Sequence, residues 1–232
     1  MNVLVLDSST SLLGIGLKTE TSYHESNTDI GLHHTENLTT GIEHLLRNAD
    51  IPASGLDLIV VSQGPGSFTG LRIGMAAGKG LAFALDIPLV SVPTLDVWSF
   101  GKEYFPGLVL PVLDARKQRV YTAFFENGKL TSEYLDISPD ALRNACLNID
   151  NILLTGPYAP QLQELWSSTE DTFSDSIHLD PQYGSPHTWE LLQLGIRAYE
   201  RRGADGESDG PLYIRPSEAE AALREKKAND RL

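Results

Sequence analysis

Two aspartates, Asp7 and Asp114, each close a short apolar run, and hydroxyls follow the first as Ser8-Ser9-Thr10. Facing each other across a cleft, such carboxylates could hold a magnesium ion through water while the hydroxyls grip phosphate. The loop after Asp114, Ala115-Arg116-Lys117-Gln118-Arg119, lacks the glycine pair that lets a backbone wrap a second phosphate. Asp7, Ser8, Ser9, Thr10 and Asp114 are therefore read as the remnant of a nucleotide cleft, with an ATPase or small-molecule kinase as the alternative. A second chemistry is suggested by Gly64-Pro65-Gly66-Ser67, a glycine-rich turn ahead of a helix, where free N–H groups attract anions. It is neither the nucleotide P-loop nor the dinucleotide fingerprint. A tight turn with Ser67 or Thr69 capping the helix explains it equally well.

Histidines offer little. His24, His33, His34, His44, His178 and His187 contain no pair four residues apart, the spacing that brings two imidazoles onto one metal. His34 reads as a residue that helps open the first helix rather than as a base. There is no Gly-x-Ser-x-Gly elbow for a serine hydrolase. Cys146 stands alone, which excludes an internal disulfide and a thiolate cluster.

These residues must be positioned by elements that the apolar pattern makes visible. Val3 to Asp7 reads as a buried strand, followed by strands over Gly14 to Thr19 and Thr21 to Ser26. A helix runs from a Thr35 cap to Asn48, with Leu38, Ile42, Leu45, Leu46 and Ala49 on one face. The strand Leu58 to Val61, a helix from about Thr69 to Leu85 and the strand Leu89 to Val92 complete the first part. The second part repeats this order. A strand spans Leu108 to Leu113, and Val120 to Glu126 and Leu130 to Ile137 flank the hairpin signal Asn127-Gly128. A helix follows from Pro139 to Cys146, capped by Ser138, then a strand over Ile152 to Thr155 and a helix over Ala159 to Trp166. A last helix from Pro186 to Arg202 places Trp189, Leu192, Ile196 and Tyr199 on one face.

Gly64-Pro65 and Gly156-Pro157 echo each other, as do the two aspartates. A duplicated βββαβαβα unit gives an α/β fold of two actin-like (ribonuclease H-like) lobes, the second degenerate. The expected boundaries are 1–103 for the first lobe, with the helix at about 186–203 packing back onto it, 104–185 for the second, and a loose or disordered tail over 204–232.

With 18 basic and 31 acidic residues the net charge is −13, a surface that repels phosphate backbones. The small basic clusters at Arg116-Lys117-Arg119, Arg201-Arg202 and Arg224-Lys226-Lys227 read as solvated surface. The start lacks a basic n-region, and no stretch approaches the ~20 apolar residues of a membrane span. The expectation is a cytoplasmic protein without membrane contact.

One helix is unusual. Gly70, Gly74 and Gly78 recur every fourth residue, and each glycine costs a helix about 1 kcal/mol relative to alanine. Residues at that spacing share a face, so the stripe marks a close approach of another backbone. Either this protein's own sheet or another subunit could supply it.

Gln63-Gly64-Pro65-Gly66-Ser67-Phe68-Thr69-Gly70-Leu71-Arg72-Ile73-Gly74 resembles the signature of the TsaB family. Supporting matches include Asp7 to Thr10, His34 to Leu38, Ile87 to Val92, Asp114-Ala115-Arg116 with Val120-Tyr121, and Tyr213-Ile214-Arg215, so the resemblance spans Asn2 to about Arg215. It implies a non-catalytic subunit serving the synthesis of threonylcarbamoyladenosine beside the anticodon of tRNAs. Such a subunit pairs with TsaD, the threonylcarbamoyl transferase of similar fold, and the ATPase TsaE joins the pair. On this sequence the implied interface is Leu38, Ile42, Leu45, Phe68, Gly70, Leu71, Ile73, Gly74, Ala77 and Gly78. A homodimer when alone, tRNA contact only through the complex, no cofactor or metal of its own, and ATP or ADP at the joint with the partners complete the expectation. Proteins of the TsaD kind carry a metal-binding histidine pair after the strand matching Leu89 to Val92; here those positions hold Thr94 and Trp98. An older peptidase label in this superfamily makes a metallopeptidase the remaining alternative.

Overall fold

A computed structural model describes residues 1–29, 34–167, 172–185 and 187–215. The Thr35 cap, the part played by His34, the Pro186 start of the last helix and the tail after Pro216 fall on side chains or segments outside that description.

The first sheet is a meander of β1 (Val3–Asp7), β2 (Leu12–Lys18) and β3 (Tyr23–Asp29), joined by β4 (Leu58–Gly64) and β5 (Leu89–Pro93) in the order β3-β2-β1-β4-β5. The meander is antiparallel, while β1, β4 and β5 run parallel. Alternation along the central strands sorts side chains between two layers. Leu4, Leu6, Ile59 and Val61 face α1 (His34–Asn48) and α2 (Phe68–Leu85), whereas Val3, Val5, Leu58 and Val60 face α6 (Thr188–Arg202).

The second sheet repeats the order. β6 (Leu108–Asp114), β7 (Val120–Thr122) and β10 (Leu135–Ile137) mirror β1 to β3, and β11 (Ile152–Thr155) and β12 (Ile177–Leu179) mirror β4 and β5, giving β10-β7-β6-β11-β12. Two sheets with one strand order form the expected actin-like architecture of two lobes. α4 (Pro139–Cys146) and α5 (Ala159–Ser167) cover the second sheet, with Ser138 capping α4 through the Ala141 N–H. Asn127 and Gly128 turn between β8 (Phe125–Glu126) and β9 (Lys129–Leu130), both in the left-handed region. The two long strands expected around that turn are each broken in two. The Phe124 N–H donates to the Ser132 hydroxyl instead of a ladder carbonyl, which interrupts the pairing.

Two features depart from the sequence pattern. A short helix, α3 (Thr94–Ser99), follows β5 and drives Leu95 and Trp98 into a core shared with Val109, Leu113, Phe125 and Leu153 of the second lobe. In α6 the expected Leu192, Ile196 and Tyr199 do pack on the first sheet, joined by buried Thr188, Leu191 and Gly195, whereas Trp189 is left half-exposed with its ring edge on Tyr23. Gly195 lets the helix come close to the sheet, since a Cβ there would lie 2.3 Å from Val60.

Candidate docking face and inter-lobe cleft

α2 begins where the Ser67 hydroxyl accepts the Gly70 N–H at 3.2 Å, and it ends at Asp86, a left-handed cap. The glycine-rich turn is thus a helix start. The Ser67 N–H is already donated to the Ser9 carbonyl at 2.7 Å. Gly64 itself sits at φ +109, where a Cβ would meet the Leu212 carbonyl at 2.8 Å, so only glycine fits.

The glycine stripe is filled by the chain's own first sheet, not left open as a groove for another subunit. A Cβ on Gly74 would fall on the Ser8 hydroxyl, and one on Gly78 would lie 2.7 Å from Val61 and 3.0 Å from Leu89. Gly70 closes the contact by accepting the Ser8 hydroxyl at its carbonyl, 2.8 Å away. Leu71 is equally buried, and Leu38, Ile42 and Leu45 of α1 belong to the same core. These seven residues of the expected interface therefore hold the lobe together. Phe68, Ile73 and Ala77 keep exposed surface.

The surface that α2 does present lies on its opposite side. Arg72, Ala76, Gly80, Phe83 and Ala84 are exposed, flanked by half-buried Ile73, Ala77 and Leu81. Phe83 is 91% exposed, and a Cβ on Gly80 would meet nothing within 4 Å. α1 lies beside α2 and adds exposed Thr39, Glu43, His44 and Arg47. Phe83 and the small residues gave no signal in the sequence, because the same four-residue spacing runs along both sides of the helix.

Between the lobes lies a cleft of about 510 Å³. Ser9, Thr10, Ser67 and Phe68 line one wall, and Asp114, Arg116 and Tyr158 line the other. Of the expected nucleotide remnant, Ser9, Thr10 and Asp114 face this space. Asp7 and Ser8 do not. Asp7 is buried with one oxygen accepting both the Ser9 N–H (3.0 Å) and the Ser9 hydroxyl (2.7 Å), and Ser8 is committed to Gly70. Asp114 is likewise engaged by its own loop: the Arg116 N–H donates to it at 2.7 Å and the Arg116 guanidinium pairs at 3.2 Å. Arg116, Lys117 and Gln118 are consecutive left-handed residues, with φ of 60°, 52° and 56°. That conformation costs roughly 1–2 kcal/mol per non-glycine residue, and it keeps the loop a tight turn rather than a phosphate wrap. A magnesium nucleotide fits these residues poorly, since Asp7 is buried in its own turn and Asp114, although it faces the cleft, is already engaged by Arg116.

The positions matched to a metal-binding pair are structural here. Thr94 accepts the Gly64 N–H at 3.1 Å, and Trp98 lies in the shared core with its ring edge-on to His187 at 4.3 Å. Among the described residues no group of three His, Cys, Asp or Glu side chains could hold a metal ion. His187 is buried and paired with Glu190 at 3.3 Å. Burial opposes ionisation of Glu190, but the His187 hydrogen bond and the His187 and Lys102 charges hold its carboxyl below the usual carboxylate range. Burial pushes the Cys146 thiol up to about 12, which leaves it inert. Arg116, Lys117, Arg201 and Arg202 lie at the surface, and one member of each cluster is also paired, Arg119 with Asp136 and Arg202 with Asp205, each at 2.6 Å.

Comparison with known proteins narrows the reading. A family model described as TsaD, tRNA N6-adenosine threonylcarbamoyltransferase, matches residues 27–193. The tRNA threonylcarbamoyladenosine biosynthesis protein TsaB of Bacillus subtilis (strain 168) is 38% identical over 227 residues, covering 95% of this chain and 97% of that one. A tRNA N6-adenosine threonylcarbamoyltransferase of Staphylococcus aureus (strain JH9) is 32% identical over 148 residues, 61% of this chain and 42% of that protein. Two solved structures share the fold. YeaZ from Pseudomonas aeruginosa superposes with a TM-score of 0.73 at 25% identity, over 92% of this chain and 99% of that one. A Pseudomonas aeruginosa protein described as similar to peptidase YEAZ superposes with a TM-score of 0.74 at 24% identity, with the same coverage.

Proposed function

Because the chain belongs to the TsaB family, we propose that it serves the synthesis of threonylcarbamoyladenosine in tRNA as a partner subunit rather than as the transferase. It docks on TsaD through the outward face of α1 and α2, and TsaE joins that pair. The supporting observation is the apolar, small-residue outer face of α2, with Phe83 91% exposed. A side chain of that size contributes about 1.5–3 kcal/mol when buried, so an exposed one in the last turn of a small-residue face suits a partner. Alone, the chain covers the same face in a homodimer.

A non-catalytic role fits the packing of Thr94 and Trp98 and the committed state of Asp7 and Asp114. ATP or ADP handled by the assembly is assigned to the joint between subunits. The net charge of −13 supports tRNA contact through the partners. No helix among the described residues is long and apolar enough to cross a membrane, and the proposed site of action is the cytoplasm.

The test is the pair Ala76→Arg and Phe83→Asp, both on exposed positions. Expected is loss of co-purification with TsaD and loss of tRNA modification in a reconstituted system, with circular dichroism and melting temperature unchanged. A complex that survives both changes rules out this face. For the nucleotide-hydrolase alternative, titration of the isolated chain with millimolar ATP is expected to show no binding; binding that Asp114→Ala removes would restore it.

A further inference from the structure

After α6 the chain crosses back over the molecule from Gly203 to Arg215, tied at each stage to a different part. The Asp205 N–H donates to the Leu89 carbonyl at 2.8 Å, and its carboxylate accepts from the Ser91 N–H at 2.8 Å and from the Ser91 hydroxyl. Lys79 of α2 donates to the carbonyls of Glu207, at 2.7 Å, and Asp209. Leu212 then donates to the Gln63 carbonyl at 2.8 Å, and the Gln63 amide reaches the Gly210 carbonyl at 3.3 Å. Tyr213 stacks at 5.2 Å on Phe68, which lines the cleft.

Up to this point every anchor belongs to the first lobe. Arg215 lands on the second. Its Nε and Nη2 reach the two oxygens of Asp136 at 2.6 and 2.8 Å, and its Nη1 donates to the Ala115 carbonyl at 3.1 Å. Arg119 holds the same carboxylate from the other side at 2.6 Å. Burial alone would raise the Asp136 carboxyl; the two guanidinium groups hold it below the usual carboxylate range, so the fastening stays charged. A bidentate arginine–carboxylate pair of this kind adds geometric specificity as well as attraction.

The lobes also meet at the apolar core around Leu95 and Trp98, where the Tyr134 hydroxyl donates to Asp96 at 2.7 Å, and at the buried pair of Lys102 with Asp180, 3.0 Å apart. Lys102 belongs to the segment that links α3 to β6, and ties at such a connection permit hinge motion unless a further tie spans the two bodies. We infer that residues 203–215 form a strap, fastened by Arg215 on Asp136, that fixes the angle between the lobes and holds the cleft at one width. This inference is independent of which partner covers α2.

Hydrogen exchange on the full chain tests it. In Arg215→Ala and in Asp136→Asn, the amides of Ser9 and Ser67 and the 115–119 loop are expected to exchange at least about tenfold faster. Those of α4 and β11 stay unchanged. The double variant is expected to be no faster than either single one, because both cut the same tie. Arg215→Lys keeps the charge but loses the fork, and is expected to fall between. Unchanged exchange at Ser9 and Ser67 in both single variants would overturn the inference. So would equal acceleration in α4 and β11, which would make the pair a support of the whole fold.

Discussion

The inner face of α2 carries Gly70, Gly74 and Gly78, and the outer face carries Ala76, Gly80 and Ala84 at the same four-residue spacing. The first set meets Ser8, Val61 and Leu89 of the chain's own sheet; the second meets solvent. Small residues at helical spacing therefore report that something approaches closely without reporting what. On the inner side the answer comes from Ser8, whose hydroxyl occupies the space a Gly74 side chain would need. On the outer side the described residues leave the row to solvent.

That contrast can be broken by substitution, and the largest effect is expected on the inner face. Gly74→Leu forces a branched side chain onto Ser8 and β1, and is expected to cost on the order of 3 kcal/mol or more. For a chain of this size that is roughly a 10 °C fall in melting temperature by calorimetry; a variant that melts like the parent would show the inner face to be open after all. Gly74→Ala should cost about 1–2 kcal/mol by the same collision. In a Ser8→Ala background much of that penalty should vanish, because the colliding oxygen is gone; additivity in the double-mutant cycle would count against the contact.

The outer face should respond in the opposite direction. Gly80→Ala adds a methyl group where nothing lies within 4 Å and restores helix propensity, so the chain is expected to gain about 1 kcal/mol. Its proposed pairing with TsaD should weaken at the same time, as read by co-purification. The smallest stability change belongs to Phe83→Ala, expected within about 0.5 kcal/mol of the parent despite the size of the side chain lost. A large destabilisation there would mean that Phe83 packs against this chain in solution.

Much of the fold was legible in the sequence. Both three-stranded openings, the helices behind them and the helix start at Ser67 follow from apolar runs, caps and turn residues. α3 escaped notice because six residues directly after a strand are too few to show a helical period. β12 escaped because Ile177-His178-Leu179 is a single alternation. Of the expected α6 face, Leu192, Ile196 and Tyr199 pack on the first sheet and Trp189 does not, and side-chain size does not reveal that Gly195 sits on Val60. The burial of Leu38, Ile42, Leu45 and the glycines within this chain was hidden for a related reason: they form a genuine apolar and small-residue pattern, and such a pattern is the same whether the covering surface is internal or foreign. Asp7 and Asp114 were recognised as a pair, but their capture by Ser9 and Arg116 depends on loop geometry that no spacing encodes.

α6 packs on the first lobe although the whole second lobe precedes it in the chain. On the ribosome this imposes an order of events. The strands that carry Val3, Val5, Val60 and Val90 are made before the second lobe, yet the helix that covers them, with Leu191 and Leu192, emerges only after it. Until then a sheet meant to be buried on both sides has one side bare. The second lobe is complete before the first is, and a nascent chain stalled before Thr188 would expose a sticky valine surface to whatever holds unfinished proteins in the cell.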